Sequence, residues 1–143
     1  MNNYHKNLWR EKWLCCINEL TSLDLQKKSW LDKTHSNPHW SFVEFICSYS
    51  DDLSIEKNYR YQLANNWITK KEYEIIENWH VMLDKYNSPK NDNYNHEAIL
   101  NDPKWLEILQ VGVATKNDLC KVLNDTERQF LTEDIDYKKY NIT

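Results

Sequence analysis

The chain has 143 residues, 41% of them apolar, and a net charge of -4. That length suits a single domain, and a chain of this size buries roughly 70% of the surface its unfolded form exposes, so neither a disulfide nor a metal is needed to hold a core. Seven Trp, nine Tyr and three Phe exclude a disordered chain despite the mean hydropathy of -0.86, because each aromatic side chain buries on the order of 150–250 Å².

The first helix is predicted over Tyr4–Leu20, where Leu8, Trp9, Trp13, Cys16, Ile17 and Leu20 recur near helical spacing. Ser22 then caps a second segment that carries Leu23, Leu25, Trp30 and Leu31. After a loop at Thr34–Asn37, Asn37-Pro38 reads as a helix start, with Asn at the cap and Pro at the first helical position. Phe42, Val43, Phe45, Ile46, Tyr49 and Leu53 would form its apolar stripe, and Asp51-Asp52 would break it. Ile55, Tyr59, Leu63 and Trp67 recur every four residues and predict a further helix over 55–67.

Thr69-Lys70-Lys71-Glu72 is a capping box: the Thr hydroxyl can accept from the Glu72 amide while the Glu72 carboxylate accepts from the Thr69 amide. Ile68 and Tyr73 flank it as a hydrophobic staple. Tyr73, Ile76, Trp79, His80 and Leu83 then share one face until Asn87-Ser88-Pro89 stops the helix. A short turn is expected at Ala98–Leu100. Asp102-Pro103 starts the next helix, with Trp105, Leu106, Leu109 and Val113 buried and Gly112 as its stop. Thr115–Asp118 and Thr126–Gln129 read as caps for two last short helices, and residues 133–143 as a charged, fraying tail. The expectation is an all-α bundle of six to eight helices in one domain, residues 1–132. With one glycine and no Asn-Gly or Asp-Gly pair, a sandwich or barrel is disfavoured.

Chemistry is harder to find. Glu77-x-x-His80 is half of a di-iron helix motif, but there is no second copy. His80 would sit at the edge of the apolar face, where Glu77 and Asp84, its i−3 and i+4 neighbours, would favour its charged form. His35 and His39 straddle Pro38, and His96 adjoins Glu97, without zinc-ligand spacing. Cys15, Cys16, Cys47 and Cys120 form no C-x-x-C pair; Cys16, Cys47 and Cys120 fall in apolar patterns that suit core packing. No Walker A, G-x-G-x-x-G or G-x-S-x-G motif occurs, and none of Arg10, Arg60 or Arg128 has a His at ribonuclease-like spacing. No cofactor and no metal site is therefore expected, nor is catalysis. A metal-dependent or acid–base enzyme built on Glu77, His80 and His96 stands as the alternative, with a helical adaptor as a third option. The lack of a basic run argues against direct nucleic-acid binding. The lack of an 18-residue apolar run or an apolar segment after Met1 argues against a membrane span or secretory leader. The chain reads as cytoplasmic, with reduced thiols.

An acidic surface is what remains. Glu74, Glu77 and Asp84 fall on the outward side of the 70–86 helix beside Val81, and neither Glu77 nor Asp84 has a Lys or Arg three or four residues away. Asp51, Asp52 and Glu56 form a second acidic group. These six are the candidate partner-binding residues, suited to a basic protein surface.

Trp40-x-Phe42-Val43-x-Phe45, Ile68-Thr69-x-x-Glu72-Tyr73-x-Ile75-Ile76-x-x-Trp79-His80, Tyr86-x-Ser88-Pro89 and Ala98-Ile99-Leu100-Asn101-Asp102-Pro103-x-Trp105 give the block from Pro38 to Gln110 a pattern that resembles small helical immunity proteins of bacterial toxin systems, such as those of contact-dependent growth inhibition. The resemblance implies a stoichiometric inhibitor that binds one cognate toxin domain in the cytoplasm. Such toxins are often nucleases, whose basic clefts an acidic inhibitor would occlude directly or from a neighbouring surface. No individual binding residue is carried over from the family.

Overall fold

A computed structural model describes residues 4–34, 40–56 and 58–133. Eight α-helices follow one another, and there is no strand among the described residues: α1 Tyr4–Leu20, α2 Leu23–Trp30, α3 Phe42–Ser50, α4 Arg60–Ala64, α5 Lys70–Lys85, α6 His96–Leu100, α7 Pro103–Cys120 and α8 Asp125–Thr132. A 3-10 turn at Pro89–Asn91 sits between α5 and α6. The all-α reading and the helix number are as expected.

Helix starts follow local chemistry. Ser22 caps α2 by accepting from the Leu25 amide, and Asp102 caps α7 by accepting from the Lys104 amide ahead of Pro103. At α5 both halves of the capping box form: the Glu72 amide donates to Thr69 Oγ1 at 3.0 Å and the Thr69 amide to Glu72 Oε1 at 2.8 Å. Ile68 is buried and Tyr73 packs against the core beside it in sequence.

α1 is the hub of the packing, touching α2, α3, α7 and α8, while α5 lies against α7. The core is aromatic at its centre. Trp30 meets Phe42 and Phe45 edge-on at 5.6 and 5.3 Å, and Phe42 meets Trp105 at 5.3 Å, the T-shaped geometry that ring quadrupoles favour. Trp30 Nε1 is buried among these rings without a hydrogen-bond partner among the described residues, whereas the Trp105 indole is paired. Trp105 Nε1 donates to Gln26 Oε1 at 3.0 Å, and Gln26 Nε2 donates to the Leu20 carbonyl at 3.0 Å, at the otherwise unmet end of α1. No helix is long and apolar enough to cross a membrane among the described residues.

Several boundaries differ from expectation. The helix expected over 55–67 is confined to Arg60–Ala64, because Tyr59 takes a left-handed conformation at φ 55° and Ser54 and Asn66 also have positive φ. α3 starts from Ser41, which accepts from the Glu44 amide; the Asn37-Pro38 start, with His35 and His39, lies outside the described residues. Gly112 does not end α7, which runs on through Thr115–Asp118 to Cys120. A Cβ at Gly112 would lie 2.7 Å from Thr21 Cγ2 and 2.7 Å from Trp79 Nε1, so the glycine serves close approach of helices. Val113, expected inside, is exposed, and Ile108 is buried in the same helix. α8 is capped by Asn124, which accepts from Glu127, and Thr126 falls inside the helix. Of the expected tail, 134–143 lies outside the described residues.

One charged cluster is built into the core. Arg10 on α1 donates from Nη2 to Glu72 Oε2 at 2.7 Å, from Nη1 to Glu72 Oε1 at 3.0 Å, from Nε to Glu127 Oε2 at 2.6 Å, and from Nη1 to the Trp67 carbonyl at 2.8 Å. The bidentate fork is the strong form of this interaction. It ties α1 to the first turn of α5 and to α8. Burial alone would lift the Glu72 carboxyl, but the hydrogen bonds from Arg10 and from Thr69, with the charge of Arg10, outweigh it and hold the carboxyl below its ordinary range.

Candidate partner-binding site

α3, the 50–56 turn, the second half of α5 and the 86–93 loop surround a cleft of about 290 Å³. Ser41 fixes the start of α3 and so the direction in which its last turn presents Tyr49 and Ser50. The turn that follows is pinned from the far side: Gln62 Nε2 donates to the Leu53 and Ser54 carbonyls at 3.3 and 3.1 Å, and Trp9 Nε1 donates to the Leu53 carbonyl at 2.8 Å. Across the cleft, α5 supplies His80, Leu83 and Asp84, and the loop supplies Tyr86, Asn87, Ser88, Asn91 and Asn93.

Behind the cleft floor runs a buried hydrogen-bond chain. Trp13 Nε1 donates to Tyr59 Oη at 3.0 Å, Tyr59 and Tyr49 share a short hydroxyl–hydroxyl bond, Tyr49 Oη lies 2.9 Å from His80 Nδ1, and His80 Nε2 lies 3.2 Å from the Glu56 carbonyl. A carbonyl can only accept, so Nε2 carries a proton. In the neutral ring Nδ1 then accepts from Tyr49, and Tyr49 in turn accepts from Tyr59. Each donor in the line is matched to one acceptor, as burial requires. Burial pushes both phenols well above the ordinary tyrosine value.

His80, expected at the edge of the apolar face of α5, is buried. It is 4% exposed, and its ring nitrogens serve Tyr49 and the Glu56 carbonyl. Glu77 is exposed and accepts from the Tyr73 hydroxyl at 3.1 Å. His96 is also buried, and its Nε2 accepts from the Phe42 amide at 3.2 Å. Among the described residues no three His, Cys, Asp or Glu side chains gather where they could hold a metal ion. Cys16 and Cys120 are half-buried against the core, while half-buried Cys47 lies beside Asp51, and burial together with that carboxylate pushes its thiol up.

All six candidate acids are exposed, and none of them pairs with a Lys or Arg among the described residues. They do not form one patch of equal standing. Asp84 lines the cleft, Asp51 follows the lining residue Ser50, and Glu56 presents its carbonyl to His80 beside the lining residue Ile55. Asp52 continues the turn. Glu77 and Glu74 lie about 10 and 15 Å along α5 from Asp84, at 1.5 Å per residue. The cleft itself, with its Tyr49–Tyr59–Trp13 support, escaped the sequence reading. The one available signal was Tyr in an apolar stripe, since a buried Tyr hydroxyl needs a partner.

Comparison with known proteins finds no matching family model, curated protein or solved structure.

Proposed function

We propose that this chain is an inhibitor of a bacterial toxin: an immunity protein that binds one cognate toxin domain, a nuclease in the simplest case, in the cytoplasm. The observation that carries the reading is the set of six exposed acids without a Lys or Arg partner among the described residues, with Asp84 lining the cleft between α3 and α5 and Asp51 and Glu56 next in sequence to the lining residues Ser50 and Ile55. Unpaired surface carboxylates raise the negative potential of that face. A nuclease must offer the opposite potential to bind its substrate, and complementary fields steer the two proteins together. The toxin is neutralised when this face covers its active site or a surface next to it. The resemblance of the Pro38–Gln110 block to helical immunity proteins supports the same reading.

The test is co-expression of this chain with the toxin domain encoded beside its gene. Growth should be restored, and the two proteins should co-purify with an on-rate that falls as salt rises. The paired reversal Glu77→Lys and Asp84→Lys should weaken binding while the helical circular dichroism stays unchanged. A neighbouring gene with no toxic product, or a toxin that this chain does not restrain, would overturn the proposal. Tight binding unaffected by salt and by both reversals would place the interface on another face.

A further inference from the structure

We infer that the cleft between α3 and α5 is a receptor for a single basic side chain, an arginine or lysine projecting from the protein partner. This rests on the reading of the chain as a toxin-binding protein and names what its interface captures.

The hydrogen-bond bookkeeping of the lining decides the sign of the occupant. The Tyr49 hydroxyl is committed to the His80–Tyr59 chain, and the His80 Nε2 proton to the Glu56 carbonyl. The Ser50 hydroxyl donates to the Ile46 carbonyl at 2.9 Å, the Ser88 hydroxyl to Asn93 Oδ1 at 2.6 Å, and the Tyr86 hydroxyl to Asp102 Oδ2 at 2.8 Å. Every hydroxyl and ring N–H of the lining is thus spent inside the protein. The hydroxyl and amide oxygens retain lone pairs, and the only charged side chain in the lining is the Asp84 carboxylate. An anion entering here would meet a carboxylate, and among the side chains of the lining only the asparagine amides could donate to it. A guanidinium or ammonium brings several donors and no acceptor, which is the complement of this lining.

The cleft encloses about 290 Å³ and its walls suit a long side chain. Ile46, Ile55 and Leu83 offer apolar wall for the methylene stem of Lys or Arg, and Phe42 and Tyr86 bring aromatic rings, which attract cations. Asp84 stands at the exposed edge without a Lys or Arg partner among the described residues. Lys85 and Lys90 are close in sequence but do not line the cleft.

Titration of the purified full chain with N-acetyl-arginine amide, followed by amide nitrogen–proton NMR, tests the inference. Shifts should concentrate at Ile55, Asp84, Asn87 and Asn91. N-acetyl-glutamine amide, which is polar but neutral, should leave these signals in place. Asp84→Asn should weaken the arginine probe about tenfold, a loss of one charge-assisted contact. Absence of cleft shifts, equal shifts with the glutamine probe, or full affinity in Asp84→Asn would each overturn it. No toxin is needed for the titration, so its failure removes the side-chain receptor without touching the inhibitor proposal. Failure of toxin protection, in turn, leaves a measured cleft affinity standing.

Discussion

Replacing Arg10 by Met should be among the most damaging single changes available to this fold. The guanidinium contacts both Glu72 oxygens, Glu127 and the Trp67 carbonyl, and its side chain is 10% exposed against 5% for Glu72. Removing it strands a buried carboxylate, and breaking such a pair from one side costs about 3–5 kcal/mol. For a chain of this length that corresponds to a fall in Tm of roughly 10–20 °C. The penalty should also depend on pH. In the wild type the Glu72 carboxyl is held low by Arg10 against the effect of burial. A group whose folded pKa is depressed stabilises the fold above its unfolded value, near ~4.3, and that stabilisation is lost as pH falls through the lower folded value. In Arg10→Met the guanidinium is gone and only the Thr69 hydrogen bonds still oppose burial, so the Glu72 carboxyl rises. The gap between variant and wild type should therefore narrow on acidification from neutrality to about pH 4. Urea unfolding followed by circular dichroism at the two pH values measures this. Arg10→Met/Glu72→Met, which removes both partners, should recover part of the loss, short of the capping-box bond from the Thr69 amide that it also removes; Glu127, with 22% side-chain exposure, can turn to water. A single-variant loss below about 1 kcal/mol, the range of a surface pair, or a loss that does not change with pH, would refute the clamp.

Gly112→Ala should destabilise the fold by about 1–3 kcal/mol, the cost of overpacking, because its Cβ would lie 2.7 Å from Trp79 Nε1 and from Thr21 Cγ2. Helix propensity alone forecasts a gain of about 1 kcal/mol for the same change, so the sign measured in thermal unfolding separates the two accounts. Of the nine tyrosines, Tyr49 and Tyr59 should stay silent in an ultraviolet titration well past the ordinary phenol range and ionise only on unfolding. Their raised folded pKa values make stability complete below the unfolded value, about 10, and falling above it. Smooth ionisation of all nine in the folded protein would show that the buried chain is open to water.

What could be read in advance was local. The α5 start was legible because Thr69 and Glu72 satisfy each other three residues apart, and the α2 and α7 starts because one side chain caps each. What failed depended on partners far along the chain. Ile55, Tyr59, Leu63 and Trp67 keep helical spacing, yet Tyr59 is held by Tyr49 and by Trp13, 46 residues away, and Gln62 by the Leu53 and Ser54 carbonyls. Those bonds override periodicity and put Tyr59 in a left-handed conformation. Gly112 looks like a stop in the local sequence, where its neighbours in space, Thr21 and Trp79, are invisible. At α8 two starts competed: Asn124-x-x-Glu127 has the same capping spacing as Thr126-x-x-Gln129, and the earlier one forms. The exposure of Glu74, Glu77 and Asp84 followed from the period of α5, whereas the cleft beside Asp84 requires the 50–56 turn to fold back across His80.

α5 thereby joins two jobs with different tolerances. Its first turn, through Glu72, is locked to α1 and α8 by Arg10. Its last turn frames the cleft with Asp84, about 18 Å away along the helix axis. Charges separated by more than a Debye length, about 8–10 Å in ordinary salt, are largely independent when solvent lies between them. Sites this far apart with no shared partner also behave additively. The exposed acids around the cleft can then be exchanged without disturbing the buried clamp. Under the proposed function, that separation lets the binding face change with its partner while the Arg10 cluster keeps the helices in place.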